Sequence, residues 1–186
     1  MPANLVYMGT PEFAVPPLEA LIDAASADRW RVAGVVTQPD RPKVRGRTLT
    51  PPPVKMVAQA SNLPVLQLET LKSEEAFANL AALDPDVIVV AAFGQILRKN
   101  VLELLPRWRG ASAVTAAIQA GDRETGVTLM LMDEGLDTGP IIVQRTLPIR
   151  PDHTSGTLTA ELAQLGAALL VETLPAWLAG QIEPQP

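Results

Sequence analysis

Residues 4–13 read NLVYMGTPEF and residues 31–38 read RVAGVVTQ. The first run is apolar up to Met8 and stops at Gly9. Thr10 as a cap, Pro11 at the first helical position and Glu12 in the first turn are start signals for a helix, expected to run to about Ala25. The second run is β-branched and bounded by Pro39, which makes it a strand. Strand–helix–strand with no polar face on either strand implies a parallel, right-handed unit. A lone Gly9 falls far short of GxGxxG, so the turn is not read as a dinucleotide site.

The same alternation continues along the chain. Val54–Ser61 reads as a short helix, Leu63–Leu66 as a third strand and Glu69–Leu83 as an amphipathic helix. Asp86–Ala92 (DVIVVAA) has no polar interruption and is expected in the middle of a sheet covered on both faces. Phe93-Gly94-Gln95 leaves its carboxyl end, where ligands sit in open α/β sheets. A brief helix at Arg98–Leu104 and another at Ala111–Ala120 flank LPRWRG. Glu124–Gln144 (ETGVTLMLMDEGLDTGPIIVQ) reads as strand, acidic loop, strand. Asp152 or Thr154 caps a last helix striped by Leu158, Leu162, Leu165 and Leu169, which Pro175 is expected to end or kink. The whole is a three-layer α/β fold, a mostly parallel Rossmann-like sheet with helices on both faces, in one domain of residues 1–186.

Composition narrows the chemistry. With 47% hydrophobic and 19% charged residues the chain is a folded globular protein. No apolar run approaches the ~20 residues of a membrane span, and the start lacks a signal-peptide pattern, so the cytoplasm is the expected compartment. Zero cysteines exclude disulfides and thiolate nucleophiles, and a single histidine excludes a multi-histidine metal site. That histidine, His153, reads as a loop or capping side chain rather than a catalyst. A net charge of −5 argues against a protein that coats nucleic acid, yet leaves room for a local basic patch.

Two loops carry chemistry. Asp133, Glu134 and Asp137 lie among two glycines and a proline, where side chains can reach a ligand. Tight turns need Asp and Gly anyway, so by itself this loop reads first as a turn. Residues 38–54, QPDRPKVRGRTLTPPPV, hold Arg41, Lys43, Arg45 and Arg47 within seven positions. They suit a solvated loop or an anion-binding arm for phosphates, and composition does not choose between the two.

Several fragments in order, MGTPEFAVPPLEAL, VVTQPDRPKVRGRTLTPPPVK, VVAAFGQIL, LPRWRGAS, AGDRETGVTLMLMDEGLDTGP and TSGTL, resemble the N-terminal catalytic domain of the methionyl-tRNA formyltransferase family. The later fragments are similar to other enzymes that use 10-formyltetrahydrofolate, including glycinamide ribonucleotide and amino-sugar formyltransferases. The resemblance implies the formyltransferase fold, 10-formyltetrahydrofolate as donor, no metal, initiator methionyl-tRNA as partner and a monomer. It implies Asp137 as the catalytic aspartate of GLDTG. A folate pocket is implied at Phe93, Gly94, Gln95, Ile96, Leu97, Leu104, Leu105, Pro106, Asp133, Glu134 and Gly135. It turns the basic loop into an expected RNA contact through Arg41, Lys43, Arg45 and Arg47, with Arg45 foremost. An amino-sugar or ribonucleotide acceptor, or an inactive folate- or RNA-binding domain, is the alternative. An aspartic protease, suggested by Asp137-Thr138-Gly139, conflicts with the strand–helix alternation.

The chain departs from the family at one place. Relatives carry a strand and a turn with an Asn-x-His pair between the counterparts of Val101-Leu102-Glu103 and Leu105-Pro106-Arg107, where this chain runs straight on. Neither Asn100 nor His153 fills that role. Losing an interior strand would leave several buried backbone groups unpaired, at ~1–3 kcal/mol each, against a domain stability of ~5–15 kcal/mol. An omission from the sequence is therefore expected over a true deletion. The family's C-terminal β-barrel domain is likewise not in the sequence.

Overall fold

The computed structural model describes residues 1–42, 49–71, 73–94, 114, 118, 121–133 and 139–185. Strand β1 (Ala3–Gly9) leads through a 3-10 turn (Glu12–Ala14) into helix α1 (Val15–Asp23), and β2 (Trp30–Thr37) follows. Two short strands, β3 (Arg41–Pro42) and β4 (Leu49–Thr50), precede α2 (Pro53–Ala60), β5 (Val65–Gln67), α3 (Glu74–Ala81) and β6 (Val87–Ala91). The described chain ends with β7 (Glu124–Met130), β8 (Ile141–Pro148) and the long helix α4 (Ser155–Leu178).

Among the described residues four strands form a parallel sheet in the order β5-β2-β1-β6. From β1 the chain builds outward through β2 to β5, then returns to place β6 on the other side of β1. This reversal falls at the carboxyl ends of β1 and β6, the place where open α/β sheets bind ligands.

Both faces are covered. Leu5, Tyr7, Val35, Val87 and Val89 pack with Leu18 and Leu21 of α1, Val54 and Ala58 of α2, and Leu170 and Leu174 of α4. On the other face Val6, Met8, Val36 and Ile88 pack with Leu71 and with Leu80 of α3. Alternate residues of β1 thus serve opposite layers, the signature of a strand buried on both sides. The α/β layering read from the sequence holds.

Four details differ from the sequence reading. Helix α1 starts late, because Pro11 occupies the cap position of the 3-10 turn with no side-chain cap, and Thr10 is engaged elsewhere. Helix α3 begins only at Glu74, where Ser73 Oγ accepts from the Ala76 amide and stops the helix from extending back to Glu69. Among the described residues β6 pairs with β1 alone and ends the sheet, although its sequence suits an interior position. Helix α4 runs past Pro175 to Leu178, since a proline one turn from the end removes one backbone donor without halting the final turn.

The cap of α4 is Thr154, which makes a reciprocal box with Thr157. His153 just before it is buried. Its Nδ1 accepts from the Arg150 amide at 3.0 Å and its Nε2 lies 3.3 Å from Glu161 Oε1, which fits the structural role expected of it. The helices expected at 98–104 and 111–120 lie outside the described residues, except that Val114 and Ile118 are helical.

Candidate active site

The carboxyl end of the sheet is held by a chain of polar contacts. At the end of β1, Thr10 Oγ1 donates to the Phe93 carbonyl at 3.1 Å and accepts from the Gln38 amide at 3.3 Å. Gln38, just past β2, sends Nε2 to the same Phe93 carbonyl at 3.3 Å. Its Oε1 accepts from Arg41 Nη2 at 3.2 Å, and its carbonyl accepts from Gln67 Nε2 at 3.0 Å. The sheet ladder runs to the Gly9–Ala91 and Thr37–Gln67 pairs, and just beyond it these side chains continue the connection between the ends of β1, β2, β5 and β6.

The backbone after β6 explains why such clamping is needed. Ala92 has φ +46° and Gly94 φ +82°, on either side of Phe93. A non-glycine residue in the left-handed region costs roughly 1–2 kcal/mol, so the surroundings must over-determine it. Burial of the Phe93 ring in the second core cluster and two hydrogen bonds to its carbonyl supply that constraint. Gly9 permits the approach of the two strand ends, because a Cβ there would lie 2.8 Å from Ala14 Cβ and 3.0 Å from the Ala91 carbonyl oxygen.

The acidic loop opens from the same end. Met132 shares the core cluster of Phe93, which brings the exit of β7 to the exit of β6. The neck of the loop is closed by the Leu131 amide donating to the Pro140 carbonyl at 2.8 Å. Gly139 lies so close to the Leu131 carbonyl that no side chain fits. Asp133 thus stands at the mouth of the loop, one residue beyond Met132. Asp137, Glu134 and Gly135 lie outside the described residues, as do Gln95, Ile96, Leu97, Leu104, Leu105 and Pro106. Of the expected pocket, Phe93, Gly94 and Asp133 are seen, and the shared cluster of Phe93 and Met132 brings them to one end of the sheet.

The basic loop starts from this end too. Arg41 is exposed on β3, which pairs antiparallel with β4 (Arg41 opposite Thr50, Pro42 opposite Leu49). Lys43, Arg45 and Arg47 lie outside the described residues. At its base Lys55 Nζ reaches both oxygens of Asp40 at 2.8 Å and Gln67 Oε1 at 2.7 Å, while Gln67 Nε2 donates to Asp40 Oδ1 at 2.7 Å. The hydrogen bond from Lys55, then that from Gln67, holds the Asp40 carboxyl below its ordinary range. Sequence reasoning missed Thr10 as a clamp, and Gln38, Asp40, Lys55 and Gln67 altogether. The only signal was the polar residue close after each of the first two strands, Thr10 after β1 and Gln38 after β2.

Among the described residues no group of three His, Cys, Asp or Glu could hold a metal ion, and no helix is long and apolar enough to cross a membrane.

A family model described as Formyl transferase matches residues 5–174. The chain belongs to the formyl transferase family. It is 52% identical over 198 residues to the methionyl-tRNA formyltransferase of Halorhodospira halophila, a match covering all of this chain and 62% of that protein. The methionyl-tRNA formyltransferase of a Roseiflexus species is also 52% identical, over all of this chain and 60% of its own length. The chain thus spans about three-fifths of the length of these curated relatives. A match 198 residues long against a chain of 186 leaves a difference of 12, so at least that many positions of the relative have no counterpart here. Among solved structures, the phosphoribosylglycinamide formyltransferase of Bacillus halodurans superposes with a TM-score of 0.74 at 26% identity, covering 95% of each chain. The formyltransferase fold expected from the sequence is the fold observed.

Proposed function

We propose that the protein transfers a formyl group from 10-formyltetrahydrofolate to the α-amino group of methionine esterified to initiator tRNA, with residues 1–186 as its catalytic domain. The observation that carries this is 52% identity over the whole chain to methionyl-tRNA formyltransferases. In the reaction the amine nitrogen attacks the formyl carbon, the bond from that carbon to folate N10 breaks, and the amine's proton passes to N10. The products are N-formylmethionyl-tRNA and tetrahydrofolate. Such a transfer needs a donor aimed at the developing oxyanion and a group that manages the proton.

In this reading Asp137 orients a histidine and stabilises its protonated form, as in other Asp–His pairs. The turn at Phe93 and Gly94, continued by Gln95, Ile96 and Leu97, binds the folate together with Leu104, Leu105, Pro106, Asp133, Glu134 and Gly135. Arg41, Lys43, Arg45 and Arg47 contact the acceptor RNA through its phosphates. The enzyme works as a monomer, in the cytoplasm, without a metal. A formylation assay offering methionyl-tRNA, glycinamide ribonucleotide and an amino sugar tests the acceptor. The account expects a preference for the tRNA, and none would sink it.

The shorter match supports a second reading, a domain that binds folate or RNA without catalysis because the Asn-x-His segment is absent. Peptide mapping separates the two. Trypsin cleaves after Lys99 and Arg107, so an uninterrupted junction releases NVLELLPR, residues 100–107. An active enzyme should instead yield longer sequence there, carrying the asparagine and histidine.

A further inference from the structure

We propose that Asp40, Lys55 and Gln67 are positioning residues that fix the direction in which the basic arm leaves the sheet, and so set how well the acceptor RNA is captured. The proposal rests on reading that arm as the RNA contact. Three observations carry it. Asp40 is the last residue before β3, and Lys55 lies in the first turn of α2, so their ion pair at 2.8 Å joins the entry and exit of the arm. β3 and β4 pair within that span, which makes the arm's root a two-stranded ribbon. Gln67, at the end of β5, holds both partners at 2.7 Å and also donates to the Gln38 carbonyl, so the clamp is bolted to the sheet itself.

The chemistry at the clamp is closed on itself. The Lys55 ammonium spends its donors on Asp40 and Gln67, and its side chain is 16% exposed, so it is not a spare cation for phosphate. Lys55 is therefore assigned to the clamp and not to the RNA contact. Its charge neutralises Asp40, which would otherwise place an anion at the root of an arm that must meet RNA. Through Gln38 the same network reaches the Phe93 carbonyl, so the arm and the turn after β6 share one scaffold.

The test is a set of steady-state measurements on the purified protein. It uses Lys55→Met, the milder Gln67→Leu, a variant with Lys43, Arg45 and Arg47 all changed to Ala, and that variant combined with Lys55→Met. Lys55→Met should raise KM for methionyl-tRNA by about tenfold and raise KM for the formyl donor by much less. Gln67→Leu, which keeps the ion pair, should raise the same constant less. In the arm variant Lys55→Met should add much less than it does alone, because only Arg41 of the arm's cations is left for the clamp to place. A clamp that serves stability alone would lower the melting temperature without separating the two KM values. If the arm variant weakens tRNA use but Lys55→Met is silent, fully additive, or equally harmful to both substrates, the clamp proposal is overturned and the RNA reading stands. If the arm variant leaves tRNA use unchanged, the RNA reading fails and the clamp proposal fails with it.

Discussion

Gly139→Ala should damage the acidic loop more than any surface change of equal size. At this position a Cβ would fall inside the van der Waals shell of the Leu131 carbonyl oxygen and 2.8 Å from its carbon. The neck can relieve the overlap only by moving residues 131 and 139 apart. That motion breaks the 2.8 Å hydrogen bond from the Leu131 amide to the Pro140 carbonyl. A lost hydrogen bond of this kind costs about 0.5–1.5 kcal/mol, and the residual overlap adds about 1–3 kcal/mol. The sum is about 1.5–4.5 kcal/mol, or a fall of roughly 3–18 °C in Tm for a chain of this size. Thermal unfolding reads the stability, and formyl transfer reads the effect on Asp137, two residues away. Activity should fall even at temperatures where the variant is folded. A variant with native Tm and native turnover would refute the account of the neck, since it would mean that a side chain fits where the geometry leaves no room.

Other substitutions probe the fold and the site separately. Tyr7 is fully buried, burial drives its phenol far above the usual range, and its hydroxyl donates to the Ala14 carbonyl at 2.6 Å. Tyr7→Phe should therefore cost about 1–3 kcal/mol in denaturant titrations. The buried Thr37 hydroxyl has no hydrogen-bond partner among the described residues. Thr37→Val should leave stability equal or higher by about 0.5–1 kcal/mol, and a clear loss would reveal a partner. The depressed pKa of Asp40 implies a stabilising contribution that is present above its ordinary value of 3.8 and is lost as pH falls below it. Acid titration of Asp40→Asn should accordingly show a shallower loss of stability in that range than the parent. Asp137→Asn should abolish most turnover and leave the unfolding curve unchanged, and intact turnover would remove Asp137 from the catalytic set.

The sheet was legible in the sequence because its strands are continuous apolar runs, and buried parallel strands have no other way to look. The hairpin of β7 and β8 was equally plain, with two apolar runs separated by a loop rich in Asp and Gly. The clamp was not. Asp40 meets Gln67 across 27 positions and Gln38 meets Phe93 across 55, and no periodicity links residues that far apart. Thr10 shows why local rules fail at such places. It carries the mark of a helix cap, yet its hydroxyl bridges two strand ends, where holding the left-handed turn at Ala92 matters more than closing a helix. Among the described residues β6 pairs on one side only, with β1. An all-apolar strand records how many faces are buried, not which neighbour pairs with its edge.

The central claim concerns the acceptor, and the product tests it directly. The purified protein is incubated with 10-formyltetrahydrofolate and methionine-charged initiator tRNA, the ester is hydrolysed, and the released amino acid is weighed by mass spectrometry. The account predicts N-formylmethionine, formed in step with tetrahydrofolate. Free methionine alone, from a protein that formylates glycinamide ribonucleotide or an amino sugar under the same conditions, would contradict it.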